Sequence, residues 1–180
     1  MIRRALLDRR GSTALEFGLV APCLILLGVA FFEYGTRLAI QASLDFAARE
    51  ASRVGITGAP PPAGMTRETQ LASVIREAVM PYVDAAKIEI GMVAYDSYGD
   101  IGKAEPFTDL NGNKRWDRGE PFTDVNGNGT WDADRGAAGA GASGQVAVYR
   151  LIYNDTPLSG LFPAVSYETR ILVRNEPFQK

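Results

Sequence analysis

Two stretches of the chain repeat with a period of 15 residues, E-P-F-T-D-L-N-G-N-K-R-W-D from Glu105 and E-P-F-T-D-V-N-G-N-G-T-W-D from Glu120. Their oxygen-bearing side chains are regularly spaced. Counting from Asp109, carboxylates and carboxamides fall at positions one, three, five, nine and twelve, as Asp109, Asn111, Asn113, Asp117 and Glu120, and position seven offers the backbone carbonyl of Arg115. Counting from Asp124, the second copy supplies Asp124, Asn126, Asn128 and Asp132, with Thr130 at the carbonyl position. A hard divalent cation such as Ca²⁺ takes about six to eight oxygens in flexible geometry, which one tight turn of Asp, Asn and backbone carbonyls can supply. Histidine is absent and the one cysteine, Cys23, lies far away in the sequence, so softer metals such as zinc or copper lack their ligands here. Without a cation, Asp109, Asp117, Glu120, Asp124 and Asp132 would repel one another in so short an insert. Ca²⁺ is therefore the expected cofactor, at one or two sites of weak affinity suited to millimolar extracellular calcium.

The spacing resembles an EF-hand loop but departs from it in three ways. Position four is glycine in both copies, position six is Lys114 in the first and Gly129 in the second, and the second copy has Arg135 where a bidentate glutamate belongs, with Asp134 one place early as the candidate substitute. The flanking E-P-F segments are turn-like and not helical, so the pair is closer to the helix-free D-x-N-G-N calcium repeats of extracellular proteins than to a helical sensor. On this reading the first loop dominates binding, because Glu120 can give two oxygens. The competing reading is that D-x-N-G-N only builds turns, since Asn and Gly readily take positive φ. Phe107, Trp116, Phe122 and Trp131 recur with the same period and are expected to pack the two loops together.

The insert needs a scaffold, and the scaffold begins with a membrane segment. From Gly11 to Phe32 the chain is apolar with the single charge of Glu16, and between Phe17 and Phe32 there is none. Roughly 20 apolar residues suffice for a helix to cross the ~30 Å hydrocarbon core. Residues 12–32 therefore read as a transmembrane helix, with residues 1–11 as a basic leader and 33–180 as a soluble module that carries the insert at 105–135. The leader holds four arginines against one aspartate, which keeps that end cytoplasmic and places the C-terminal module outside, as a single-pass protein of the cell (inner) membrane. A secretory signal is disfavoured, since the apolar run exceeds an h-region and no A-x-A site follows Phe32.

A basic leader, Gly11, four residues, then Glu16 and Phe17 at the head of an apolar helix resembles the processing site of the type IV pilin superfamily. The resemblance implies cleavage by a prepilin peptidase between Gly11 and Ser12. Cutting there creates a positive amino group at Ser12, one helical turn from Glu16, which can pair with it in the same or a neighbouring subunit. The short leader followed by Glu-Phe is closest to the tight-adherence (Tad) branch. Further on, E-Y-G-T-R at Glu33 to Arg37 and A-A-R-E-A-S-R-V-G at Ala47 to Gly55 are similar to TadE-like pseudopilins, so the resemblance covers about the first 55 residues. It implies a minor pseudopilin acting in Tad/type IV pilus assembly, with prepilin peptidase, other pilin or pseudopilin subunits and the membrane as partners.

Beyond Phe32 the helix is expected to continue into water. Ile40, Leu44, Ala47, Ala51 and Val54 recur at three- and four-residue steps, Arg37, Gln41, Asp45, Arg49 and Arg53 mark another face, and Gly55 and Gly58 close it. Asp45 with Arg49 and Glu50 with Arg53 are candidate surface pairs, and Pro22 is a candidate kink. Met65 to Met80 reads as a second, short helix capped by Thr66 and stopped by Pro81. Alternation marks strands over Lys87 to Tyr98, Val146 to Tyr153 and Val165 to Arg174. Helices first and strands after, without βαβ alternation, predict an α+β fold with a small antiparallel sheet of about three strands against the first helix. The glycine-rich stretch after Asp134 reads as a flexible return to the sheet.

Composition narrows the function. Of 19 Lys and Arg and 21 Asp and Glu, the leader holds four and one, leaving 15 basic and 20 acidic residues and a net charge of −5. No basic patch for nucleic acid is apparent. No nucleophile with a base is visible, and no P-loop or dinucleotide pattern, so a structural subunit is expected and not an enzyme. Cys23 reads as a small apolar residue of the span. The alternatives are a membrane-tethered calcium-dependent adhesin or sensor outside any pilus system and, further off, a hydrolase using paired carboxylates of the insert.

Overall fold

The computed structural model describes residues 12–57, 61–81, 83–157 and 159–176. The basic leader with Gly11, and Gly58 at the expected helix end, lie outside the described residues. The architecture is α+β. Helix α1 (Ser12–Thr57) is followed by helix α2 (Arg67–Ala78) and by strands β1 (Glu89–Tyr95), β2 (Ala137–Ala138), β3 (Val146–Asp155) and β4 (Val165–Arg174). The strands form one antiparallel sheet in the order β2-β1-β3-β4.

At 46 residues, α1 is about 69 Å long at 1.5 Å per residue, and it has two halves. Its N-terminal half carries Leu15, Phe17, Leu24, Leu27, Phe31 and Phe32 exposed, and no part of its apolar window is covered by the other described residues. An uncovered apolar helix of this length near the N-terminus is consistent with a single-pass membrane protein. From Ile40 onward one stripe turns inward, so that Ile40, Leu44, Ala47, Ala48 and Ala51 are all buried. The alanines let the sheet approach closely. Opposite them lie Ala147, Tyr149, Leu151 and Tyr153 of β3, whose register partners on β4 are Val173, Ile171, Thr169 and Tyr167. The period of two in these strands puts one residue in two on the helix. Helix α2 closes the other side with Leu71 and Ile75. Its start is a capping box between Thr66 and Thr69.

The two ends of the sheet are tied to α1 at different heights. Near the end of the apolar segment, buried Glu33 accepts a hydrogen bond from the Ser159 backbone N–H at 2.8 Å, and Arg37 donates to the Pro163 carbonyl at 3.1 Å. At the far end the Glu176 N–H reaches the Ile56 carbonyl at 3.4 Å. Residues 33 and 56 are separated by about 35 Å of helix. Tyr95 pairs with Val146 and Val146 with Arg174, so the insert leaves and re-enters the sheet at the end remote from the apolar segment.

Two expectations need correction. The return after Asp134 is not a loose tether: Ala137 and Ala138 pair with Ala94 and Val93 as an added edge strand, giving four strands in place of about three. Ala140 is fully buried there, with its N–H on Glu68 and its carbonyl on Asn175. Gly136 must be glycine, because a Cβ would sit 2.3 Å from Val93 Cγ1. Nor do the Asp45 and Arg49 side chains pair. Arg49 bonds the Asp45 backbone carbonyl, while the Asp45 carboxylate accepts from Thr169 at 2.6 Å and Gln41 at 3.1 Å, which is a helix-to-sheet contact. The ion pair of Glu50 with Arg53 is present.

Candidate functional site

The insert is a two-fold arrangement built by its repeat. The backbones of the two E-P-F-T segments cross as an antiparallel bridge between Phe107 and Phe122, with Thr108 N–H on the Pro121 carbonyl and Thr123 N–H on the Pro106 carbonyl, each at 2.8 Å. Trp116 and Trp131 stack at 5.1 Å between ring centres and 9° between planes. Phe107 meets Trp131 edge-on and Phe122 meets Trp116 the same way. All four aromatics thus pack the loops against each other, as their common period predicts.

Within each loop the side chains fold the backbone around themselves. Asp109 Oδ1 accepts from Gly112 N–H at 2.7 Å and its Oδ2 from Lys114 N–H at 2.8 Å. These amides, Lys114 first, hold the Asp109 carboxyl below the usual aspartate range. The counterpart Asp124 takes Gly127 N–H at 2.7 Å and Gly129 N–H at 2.8 Å. Position four is glycine because it lies at φ 78° in Gly112 and 76° in Gly127, a left-handed conformation that glycine adopts without steric cost. Asn111 and Asn113 both donate from Nδ2 to Asp117 Oδ2, at 2.6 and 2.7 Å. Asn126 and Asn128 do the same to Asp132 Oδ2, at 3.0 and 2.6 Å. The two amides keep the Asp132 carboxyl below its ordinary value, Asn126 contributing most.

The closing residue of the second loop is one that reading forward from Asp124 misses. Glu120 spans the first loop, its two oxygens accepting from Leu110 N–H at 2.8 Å and Asp117 N–H at 2.9 Å. Glu105 spans the second in the same way, accepting from Val125 N–H at 2.7 Å and Asp132 N–H at 3.1 Å. Each glutamate is buried, and each carbonyl accepts from the facing indole, Glu120 from Trp116 and Glu105 from Trp131. Arg135 and Asp134 therefore do not close the second loop. Arg135 donates to the Ala104 carbonyl and pairs with Asp100, and Asp134 accepts from the Tyr95 hydroxyl at 2.9 Å. That hydroxyl is pushed up to about 12, by burial first and by Asp134 second. The signal for Glu105 was in the repeat unit: it opens the first copy as Glu120 opens the second.

The donor set of each loop suits a hard cation, with two aspartates, two carboxamides and a backbone carbonyl, from Arg115 or Thr130, held in one hydrogen-bonded turn. The carboxamide nitrogens, and not the oxygens, face Asp117 and Asp132 in this arrangement, so a cation held there would require those amides to turn. Among the described residues no group of three or more His, Cys, Asp or Glu side chains is placed to hold a metal ion. Both oxygens of Glu120 and Glu105 are engaged by backbone amides, so these glutamates act on the loops as clasps. The hollow beside the crossing, lined by Pro106, Phe107, Thr108, Pro121, Phe122 and Thr123, carries no carboxylate.

At the other end of the chain, Ser12 begins α1, and Glu16 and Phe17 lie on its exposed first turns, with Phe17 68% exposed. Gly11 is outside the described residues. The stretch that carries this head, the apolar helix and the Glu33 to Arg37 turn is the part that comparison with known families recognises. Residues 11–53 match the family model described as TadE-like protein. The match supports a TadE-like protein, covers nearly all of α1 and ends before the sheet and the insert. No curated protein and no solved structure matches the chain. The TadE-like match suggests a protein associated with a Tad pilus, in which contacts to the membrane and to other pilus subunits are plausible.

Proposed function

We propose that the chain is a TadE-like minor pseudopilin: a single-pass membrane precursor that a prepilin peptidase trims between Gly11 and Ser12, and that then acts in assembly of a Tad-type pilus. The observation that carries the proposal is the coincidence of the TadE-like match with an apolar window in α1 that no other described part of the chain covers. Glu16 near the head of that helix is a carboxylate in an apolar setting, where charge is costly and is kept for a partner. Its partner in this reading is the amino group of Ser12 on its own or a neighbouring pilin or pseudopilin subunit. The N-terminus faces the cytoplasm and the soluble module the extracytoplasmic side, where the paired loops bind Ca²⁺ and stiffen the end of the sheet remote from the membrane.

The test is complementation. In cells lacking the gene, the wild-type chain restores pilus assembly. Glu16→Ala is trimmed normally but leaves few or no pili, because the loss falls on subunit docking. Normal piliation by Glu16→Ala would place Glu16 among the headgroups with no docking role, and normal piliation without the gene would remove the protein from pilus assembly. A second reading, a membrane-tethered calcium-dependent adhesin or sensor, draws on one observation: the insert lies wholly outside the matched stretch. That reading predicts intact pili and a calcium-dependent surface phenotype in the same strain.

A further inference from the structure

The turn joining β3 to β4 sits where α1 changes from apolar to polar. Ser159 N–H is held by Glu33, the first charged residue after the apolar run, and Pro163 and Phe162 are held by Arg37, which donates to the Pro163 carbonyl and lies 5.8 Å from the Phe162 ring centre. The turn is thereby fixed at the level of residues 33–37. Its own chemistry is unusual for a soluble surface, since no charged side chain occurs from Thr156 to Tyr167 in a chain that is 22% charged. Gly160, at φ 66°, turns the tip and leaves Leu161 64% exposed. Phe31, Phe32 and Tyr34 are exposed on α1 at the adjoining level. Uncharged apolar tips beside exposed aromatics are the composition of a membrane–water boundary.

We infer that the Gly160-Leu161-Phe162 tip is a second membrane contact, seated in the interfacial layer of the bilayer that α1 crosses. The occupant is the lipid surface because the tip is continuous with the lipid-facing part of α1 and is bonded to the turn of helix that leaves the hydrocarbon. A bundle held only by α1 is free to tilt and rotate about it. Contact through Leu161 as well fixes which face of the sheet looks away from the membrane and keeps the insert at its far end. It also covers Glu33, whose carboxylate is satisfied by Ser159 where lipid would otherwise reach it. The inference rests on α1 being a membrane anchor, and the experiment separates the two.

The full chain is reconstituted in vesicles of phosphatidylethanolamine and phosphatidylglycerol and carries one environment-sensitive fluorophore per variant: on the native Cys23, on Leu161→Cys in a Cys23→Ser background, or on Leu110→Cys in the same background. Leu110 is a control of similar exposure in the remote insert. Cys23 is quenched by nitroxides deep in the acyl chains if α1 spans. Leu161→Cys is then expected to emit to the blue of Leu110→Cys, to be quenched by nitroxides near the headgroups, and to show a several-fold smaller iodide quenching constant. Equal iodide quenching at the two positions, with Cys23 still deep, overturns the inference and leaves the anchor standing. Shielding of Leu161→Cys from iodide without nitroxide quenching assigns the tip to a second protein copy and overturns it equally. Absence of deep quenching at Cys23 removes the anchor itself, and the inference with it.

Discussion

Glu105 closes the second acidic loop as Glu120 closes the first, each by accepting two backbone N–H groups across the other copy's turn. The loops are thus reciprocal halves of one unit, and the asymmetry read from Arg135 disappears. Asp109→Ala and Asp124→Ala are expected to lower calcium affinity by similar factors, in contrast to a first loop that dominates. Glu105→Ala removes the acceptor of the part-buried Val125 and Asp132 N–H groups and is expected to cost about 1–2 kcal/mol of folding stability, with Glu120→Ala alike. Isothermal titration and melting of the four variants read this out. A Glu105→Ala protein with unchanged melting and unchanged calcium heat contradicts the reciprocal closure.

Lys114 is the one non-glycine residue with positive φ among the described residues, at 63°, while its counterpart Gly129 lies at 77°. A left-handed conformation costs an L-residue about 1–2 kcal/mol, part of which glycine gives back through the entropy of its unfolded state. Lys114→Gly is expected to stabilise the protein by about 0.5–1 kcal/mol, or about 1–4 °C in melting temperature for a domain of this size. A lower melting temperature would show that the Lys114 side chain makes a compensating contact.

Acid sensitivity centres on the strand pair β3 and β4. Arg150 reaches across to Glu168 with Nε at 2.8 Å and Nη2 at 3.1 Å, and Arg170 joins from the same strand. Hydrogen bonds from Arg150 and then Arg170 lower the Glu168 carboxyl to about 2. A depressed carboxylate contributes stability that is present above its unfolded value near pH 4.3 and is lost as pH falls toward the folded value. The side chains are a third or more exposed, so solvent screening limits the contribution to a small amount. Glu168→Gln is expected to lose that amount at pH 7 and nothing near pH 2, measured as urea midpoints across pH. An equal loss at both ends would assign Glu168 a packing role.

The sheet and its helix were legible because burial here obeys simple periods. Ile40, Leu44, Ala47 and Ala51 at helical steps, and the alternation of Val165 to Arg174, each specify one face. Strand β2 was not legible, since Ala137 and Ala138 lie among glycines and pair only because β1 offers an open edge and Gly136 leaves room for Val93. The Asp45 contact was missed for a similar reason: an i,i+4 rule sees the helix surface and cannot see Thr169 arriving from β4. In the insert, the regular spacing of the aspartates and asparagines shows in the matching hydrogen bonds of the two turns. Glu105 was missed because a linear count looks for the second loop's closing residue twelve places on, at Arg135, whereas the chain crosses between Phe107 and Phe122 and brings Glu105 to that loop from upstream.

The most direct measurement of the central claim, that this is a prepilin-type membrane subunit of the TadE-like kind, is the intact mass of the chain co-expressed with a prepilin peptidase in a membrane fraction. The account predicts a product beginning at Ser12, with Gly11→Val left at full length. An uncut wild-type chain, or one cut beyond Phe32 and released from the membrane, would contradict it.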